Sequence, residues 1–289
     1  MGNGDYEITL QVYRDCLTDG ANFDRDANFA IFQCDGTIDC TELEQGSQGF
    51  TFTVPLDTVE TLNFPDPTCE LPQICVEQGT YRFRLSDFDA FLPTTNNSYH
   101  IVHQRCCRNG SITNIENPEE FGSTFTIAIT PAAQQACNSS PTFDNFPPVL
   151  TCINELFEFQ QTATDEEGDS LVYAFSAPLH GGGNDVTRDN FESCVGAIPN
   201  PPCPPPYASV PFIQPIYDAQ FPFGDFDETI DLKSTTGLIT GTPTLIGQFV
   251  AGISIQEYRN GILLSTSQRE VQINVINCND TNDLSLIHI

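Results

Sequence analysis

The chain has 289 residues and is strongly acidic, with 39 Asp and Glu against 10 Lys and Arg and a formal net charge of −29. Proteins bind nucleic acids and anionic lipids through clustered basic residues, and Lys233 is the single lysine of this sequence. The composition therefore excludes DNA, RNA and lipid headgroups as main partners. The 22 Phe and 8 Tyr residues argue against disorder, because they can build a core. So many carboxylates favour hard cations, above all Ca²⁺.

The chain contains 12 cysteines, and no Cys-x-x-Cys pair occurs among them. Structural zinc sites usually contain such pairs, which disfavours zinc. The even number of cysteines instead indicates disulfides formed in an oxidising compartment. We therefore expect an extracellular or cell-surface protein. No stretch approaches the ~20 apolar residues of a membrane helix, so we expect no membrane insertion.

Cysteine spacing leaves the disulfide connectivity open. Three pairs are close enough in sequence to close local loops, namely Cys34 with Cys40, Cys69 with Cys75, and Cys194 with Cys203. The adjacent Cys106 and Cys107 are expected to have separate partners.

Alternating runs of β-branched and aromatic residues, separated by turn residues, recur along the chain and predict strands. Helical periodicity is nearly absent, and residues 131–137 allow at most two turns. Asn260-Gly261 lies between two such runs and predicts a hairpin, since both residues tolerate a positive φ. The sequence therefore predicts an all-β fold. The predicted strands include residues 6–13, 50–54, 81–85, 123–129, 171–175, 247–255 and 270–275.

Breaker residues divide the chain into two groups of strands. We predict an N-terminal β-sandwich over residues 1–136, a linker over 137–148 and a second β-sandwich over 149–278. Residues 279–289 turn abruptly apolar and are expected to be a non-native tail. The polar start of the chain has no apolar signal-peptide core, so we expect a piece of a longer secreted chain.

The most specific segment is Ala163-Thr-Asp-Glu-Glu-Gly-Asp-Ser-Leu-Val-Tyr173. It places Asp165, Glu167 and Asp169 within five residues, and Gly168 allows a tight turn before a strand. Crowded carboxylates repel one another and tend to recruit a cation, so calcium is the favoured interpretation. The alternative is a solvated acidic hairpin. The spacing is not that of an EF-hand loop.

This segment, together with residues 235–244 and 247–253, resembles the Ig-like, dystroglycan-type cadherin-like module. The resemblance covers roughly residues 138–278 and implies an extracellular Ig/cadherin-like β-sandwich. Many modules of this kind bind calcium at the acidic turn and between neighbours. The resemblance therefore adds Asp144 and Asn145, at the junction of the two predicted domains, as further metal ligands.

The whole chain is similar to segments of very large surface proteins of Bacteroidota. The segments that carry the similarity include Tyr13–Cys16, Cys106–Asn109 and Glu257–Gly261. Such proteins typically end in a gliding-motility-type sorting domain exported by the type IX secretion system. That sorting domain is not found in this sequence, so the resemblance alone implies the export route.

Enzyme signatures are not found in the sequence, which has no Gly-x-Ser-x-Gly elbow, His-Glu-x-x-His motif or Walker loop. His100 and His103 point to opposite faces if they lie on a strand, which disfavours a shared metal. We expect a non-enzymatic structural and adhesive segment of a long surface protein, stiffened by calcium and disulfides. Its expected partners are neighbouring modules and an unknown protein or glycan ligand. The alternative is an accessory domain of a secreted glycoside- or peptide-acting hydrolase, since paired carboxylates are plentiful.

Overall fold

The computed structural model describes residues 4–17, 20–35, 40, 49–62, 75–146, 150–182, 197–200, 202–224 and 230–278. Of these residues 49% are extended and 6% helical, which confirms the all-β class. No helix among them is both long and apolar enough to span a membrane. Cys69, Cys194 and the tail 279–289 lie outside the described residues.

Eight strands and one short helix precede residue 147. They are β1 (Glu7–Asp15), β2 (Asp26–Cys34), β3 (Phe50–Pro55), β4 (Thr58–Leu62), β5 (Val76–Arg84), β6 (Ser98–Arg105), β7 (Ser123–Ile129), α1 (Pro131–Ala136) and β8 (Thr142–Phe143). Two single 3₁₀ turns cover Leu85–Phe88 and Pro118–Glu120.

Eight further strands follow. They are β9 (Leu150–Cys152), β10 (Phe157–Gln160), β11 (Ala163–Thr164), β12 (Ser170–Ser176), β13 (Ile230–Leu232), β14 (Leu238–Gly241), β15 (Gly247–Arg259) and β16 (Ile262–Ile276).

In the N-terminal half, a four-stranded sheet of order β3-β2-β6-β7 packs on a three-stranded sheet of order β1-β5-β4. Their shared core is rich in aromatic rings, because alternate residues of each strand point inward. Phe29 of β2 lies 4.9 Å from Phe83 of β5, and Phe52 of β3 lies 5.1 Å from the same ring, measured between centroids. Aromatic contacts between the two sheets therefore hold this half together.

In the C-terminal half, a sheet of order β12-β15-β16-β9 faces a sheet of order β10-β14-β13. The core between them contains Ile239, Phe249, Ile253 and Ile273, each at most 2% exposed. β15 and β16 form a long hairpin whose turn is Asn260-Gly261, with φ of 54° and 78°. This confirms the predicted hairpin. β8 and β11 form a separate two-stranded ribbon.

The two halves exchange hydrophobic residues. Ile112 and Ile115 precede β7 but belong to the C-terminal core, whereas Leu264 of β16 belongs to the N-terminal core. The Thr130 hydroxyl donates to the Leu264 carbonyl at 2.7 Å, at the N-terminus of α1. The proposed domain division at residues 137–148 stays a prediction. Each of the two hydrophobic cores contains residues from before and from after this segment.

The segment predicted as a linker packs against both halves. The guanidinium of Arg269 lies 4.7 Å over the Phe143 ring and donates to the Asn145 carbonyl at 2.8 Å. The ring of Phe146 lies 4.7 Å from that of Tyr13 on β1. These contacts join the segment to β16 and to β1.

Disulfides connect Cys16 to Cys75, Cys34 to Cys40, Cys106 to Cys107, and Cys152 to Cys278, and Cys203 is disulfide-bonded as well. The local Cys34–Cys40 loop agrees with its spacing. Cys137, at the end of α1, is an exposed thiol.

One of the possible local pairs is not formed, and one expectation about these cysteines is wrong. Cys75 is bonded to Cys16 rather than to Cys69, because antiparallel pairing of β1 with β5 places the end of one strand beside the start of the other. Cys106 and Cys107 are bonded to each other rather than to separate partners.

Candidate functional site

The acidic turn that connects β11 to β12 lies beside the end of β15. β12 pairs with β15 in antiparallel register, so that Leu171 is opposite Glu257. This register brings a carboxylate oxygen from each of Asp165, Asp169 and Glu257 within 4.8 Å of the others. We call these three residues the carboxylate cluster.

Arg259 neutralises part of the cluster. Its Nε and Nη2 donate to the two carboxylate oxygens of Asp169 at 2.8 and 2.6 Å, and Nη2 also donates to Asn138 Oδ1 at 2.9 Å. Hydrogen bonding to this guanidinium lowers the pKa of Asp169, despite partial burial. Asp169 is therefore held in its ionised form.

Glu257 is the deepest member of the cluster, with no solvent exposure. Its carboxylate accepts hydrogen bonds from Asn138 Nδ2 at 2.7 Å and from Ser265 Oγ at 2.5 Å. Burial raises the pKa of Glu257 from 4.5 to about 7, and the neighbouring Asp169 and Asp165 add to this shift. The site therefore disfavours the negative charge of Glu257. A bound proton neutralises this charge, and a nearby cation would also do so.

Asp165 leaves one oxygen without a partner. Its Oδ1 accepts from the backbone N–H of Asp169 at 2.6 Å, which closes the turn. Its Oδ2 is buried and has no hydrogen-bond partner among the described residues. Gly168 supplies the positive φ of 78° that this turn requires. A buried carboxylate oxygen without a donor is a natural cation ligand.

The charges of the site suit a divalent cation. When Glu257 is also ionised, the three carboxylates and the one guanidinium have a formal charge of −2, which a divalent cation would balance. Calcium accepts six to eight oxygen ligands, and the side-chain oxygens of Asp165, Asp169 and Glu257 would supply the first of them. The bound ion would screen the repulsion between carboxylates and would join the acidic turn to β15.

The structure places the remaining predicted ligands apart from the cluster. Glu167 accepts a hydrogen bond from the Ser139 N–H at 3.2 Å, and Asp144 accepts one from Thr164 Oγ1 at 2.7 Å. Asn145 donates from Nδ2 to the Gln160 carbonyl at 3.2 Å. These residues connect the linker segment to the β10–β12 region.

Sequence reasoning did not name Glu257, Arg259 or Asn138 as members of this site. Glu257 and Arg259 lie on one face of β15 about 90 residues after the acidic turn. If residues 170–176 had been paired antiparallel with the strand before Asn260, Glu257 and Arg259 would have been placed beside the acidic turn. No local motif predicts that pairing, because strand register depends on the whole sheet.

A second group of possible ligands consists of Cys34, Cys40 and His100, which are all buried. Its two cysteines are joined as a disulfide and offer no thiolate to a metal. His103 lies on the same strand as His100, and its Nδ1 forms a hydrogen bond of 2.9 Å with the Asn28 carbonyl.

A shallow cleft lies at the surface between β7 and β16. Its lining contains one carboxylate, Glu270, which is ion-paired with the buried Arg108. No second carboxylate is found among the described residues that line this cleft.

No model of a known protein family matches the chain, and no curated protein is significantly similar to it. The fold and the site define an all-β, disulfide-braced protein with an acidic cluster at one strand end. The interpretation of its role therefore depends on its own residues.

Proposed function

We propose that the chain is a non-enzymatic, load-bearing segment of a long extracellular surface protein, of the Bacteroidota type that its sequence resembles. Its modules would transmit tension along the chain and present surfaces to neighbouring modules and to a protein or glycan ligand. Disulfides and calcium would supply the stiffness.

The two long-range disulfides carry this proposal. Cys16–Cys75 closes a loop of 59 residues, and Cys152–Cys278 closes one of 126 residues. Tension applied along the chain passes through the sulfur–sulfur bonds, so the residues inside both loops are shielded from stretching. Such cross-links also restrict the unfolded ensemble. Each of them typically stabilises the folded state by about 2–4 kcal/mol.

The carboxylate cluster supports the calcium part of the proposal. A cation at Asp165, Asp169 and Glu257 would join the turn before β12 to β15, beside the segment that connects the two halves. Asn138 of that segment bonds both Glu257 and Arg259, so binding at the cluster would also stabilise the connection.

Stretching single molecules by their two ends tests the load-bearing role. We expect the oxidised protein to release only the residues outside the two loops. Reduction should add up to roughly 450 Å from the 126-residue loop and roughly 200 Å from the 59-residue loop, at about 3.6 Å per residue.

The double variant Cys34→Ser/Cys40→Ser is the matched control. This disulfide lies inside the Cys16–Cys75 loop, so its removal should leave the released length of the oxidised protein unchanged. Equal released lengths before and after reduction of the wild type would contradict the proposal.

A further inference from the structure

The disulfide between Cys106 and Cys107 is poorly suited to cross-linking. It joins adjacent residues, whereas other disulfides close loops of 59 and 126 residues. Closing a loop of one residue removes almost no freedom from the unfolded chain, so it stabilises the fold little through chain entropy. Its effect must be local.

One half of this disulfide is exposed to solvent. Cys107 is exposed, and it is the only exposed half-cystine among the described residues. Cys34 and Cys40 have no solvent exposure, and Cys106 itself is 6% exposed. The exposure of Cys107 brings this half of the disulfide to the solvent, and attack by a thiolate requires such access.

The residues on either side of the bond are held by hydrogen bonds to other segments. The N–H of Cys106 donates to the Ala197 carbonyl at 2.7 Å, and the N–H of Arg108 donates to the Phe121 carbonyl at 2.9 Å. The small ring formed by the bond lies directly between these two contacts. Its opening would free the backbone that aligns both of them.

Arg108 connects this segment to the C-terminal sheet. Its side chain is 2% exposed and forms an ion pair with Glu270 of β16 through both Nη atoms. It also donates to the carbonyls of Gly122 at 3.2 Å and Leu179 at 3.0 Å. A buried guanidinium depends on precise placement, because a lost partner leaves its charge uncompensated.

We propose that Cys106–Cys107 is a thiol–disulfide exchange site that controls how firmly the segment 106–122 is held on β16. The reductant is a dithiol, either a small molecule or a thioredoxin-like protein. One of its thiolates attacks Cys107 Sγ and releases the Cys106 thiolate. The second thiol of the reductant then attacks the mixed disulfide, breaks its bond to Cys107 Sγ and releases the Cys107 thiolate. The reductant leaves as a disulfide, and two electrons and two protons pass to Cys106 and Cys107.

Graded reduction of the folded protein tests the order of exchange. The protein is incubated with increasing dithiothreitol, its thiols are trapped with iodoacetamide, and the remaining disulfides are reduced and labelled with a second reagent. Peptide mass spectrometry should find Cys106 and Cys107 in the first label at dithiothreitol concentrations at least tenfold below those that open Cys34–Cys40 or Cys152–Cys278. Earlier opening of either of those bonds would overturn the proposal.

Hydrogen–deuterium exchange tests the consequence. At the concentration that opens only Cys106–Cys107, amides of residues 108–122 and of β16 around Glu270 should exchange at least tenfold faster. Cys106→Ser/Cys107→Ser should reproduce this change, whereas Cys34→Ser/Cys40→Ser should not. Because the reductant titration uses the wild-type protein, unchanged exchange there would overturn the proposal even if the variant fails to fold.

Discussion

Arg259 binds both carboxylate oxygens of Asp169, at 2.8 and 2.6 Å, across the paired strands β15 and β12. The side chain of Asp169 is 5% exposed, so this contact provides its main counter-charge. The pair joins the acidic turn to the hairpin even without a metal. A divalent cation at the carboxylate cluster would add to this interaction, because the Oδ2 of Asp165 has no hydrogen-bond partner among the described residues.

Replacing Arg259 should make the protein more dependent on calcium. In Arg259→Gln the Asp169 carboxylate loses its counter-charge, so we expect a lower melting temperature than wild type in a chelator. Added calcium should then raise the melting temperature by more than it does in wild type. Differential scanning calorimetry with EDTA and with millimolar CaCl₂ measures both effects. Equal calcium responses in the two proteins would contradict this expectation.

Calcium should stabilise the wild-type protein through the carboxylate cluster. A ligand at a hundredfold excess over its Kd stabilises the folded state by about 2.7 kcal/mol if it binds only that state. Asp165→Asn removes the charge of the carboxylate whose Oδ2 has no hydrogen-bond partner among the described residues, and it should abolish most of the shift in melting temperature. Asp57→Asn changes an exposed acidic residue in the N-terminal half and serves as the control.

An unchanged melting temperature of the wild type in calcium would show that the cluster is a solvated acidic turn. A shift that Asp165→Asn and Asp57→Asn reduce equally would show binding through general negative charge.

The features that could be predicted from the sequence are those encoded locally. Strand alternation, the Asn260-Gly261 turn and the crowding of Asp165 with Asp169 each depend on a few consecutive residues. The approach of Glu257 to Asp165 depends on the register between strands about 90 residues apart. The Cys16–Cys75 bond likewise depends on how β1 pairs with β5. Such long-range pairings are selected by packing of the whole sheet, and no short motif specifies them.

Leu264 should stabilise the N-terminal half although it lies on β16. Its side chain is 2% exposed and packs in the N-terminal core. Leu264→Ala should reduce the free energy of unfolding by about 2–5 kcal/mol and increase hydrogen exchange in β2, β5 and β6. Ile273→Ala, on the same strand but in the C-terminal core, is the matched control and should increase exchange in β14 and β15 instead. Identical exchange patterns for the two variants would contradict this assignment of cores.

The Arg108–Glu270 pair should show strong coupling between its members. Glu270→Leu leaves the Arg108 guanidinium buried without a counter-charge and should cost about 3–5 kcal/mol of folding free energy. The double variant Arg108→Met/Glu270→Leu should regain much of that loss, because the unpaired charge is gone. Urea unfolding of wild type, both single variants and the double variant gives the coupling energy. Additive losses would show that the two side chains act independently.

Glu257 should make stability fall as the pH rises from 4.5 to about 7 when calcium is chelated. Burial raises the pKa of this carboxyl group from 4.5 to about 7. Within that window the folded protein retains a proton that the unfolded chain has released, so increasing pH favours unfolding. Below this pH window Glu257 is protonated in both the folded and the unfolded state. Above the window it is ionised in both states, and the loss of folding free energy is complete. The lowered pKa of Asp169 acts below its ordinary value of 3.8, outside this window.

Comparison with Glu257→Gln isolates this contribution. Burial lowers the pKa of His103, whose effect opposes that of Glu257 because stability falls as the pH drops below 6.5. His103 is present in both proteins, so its contribution cancels in their difference. Urea unfolding in EDTA should show that the stability of Glu257→Gln relative to wild type increases from pH 5 to pH 7 and then levels off. A difference that is constant between pH 5 and pH 8 would show that Glu257 does not exchange its proton in this range.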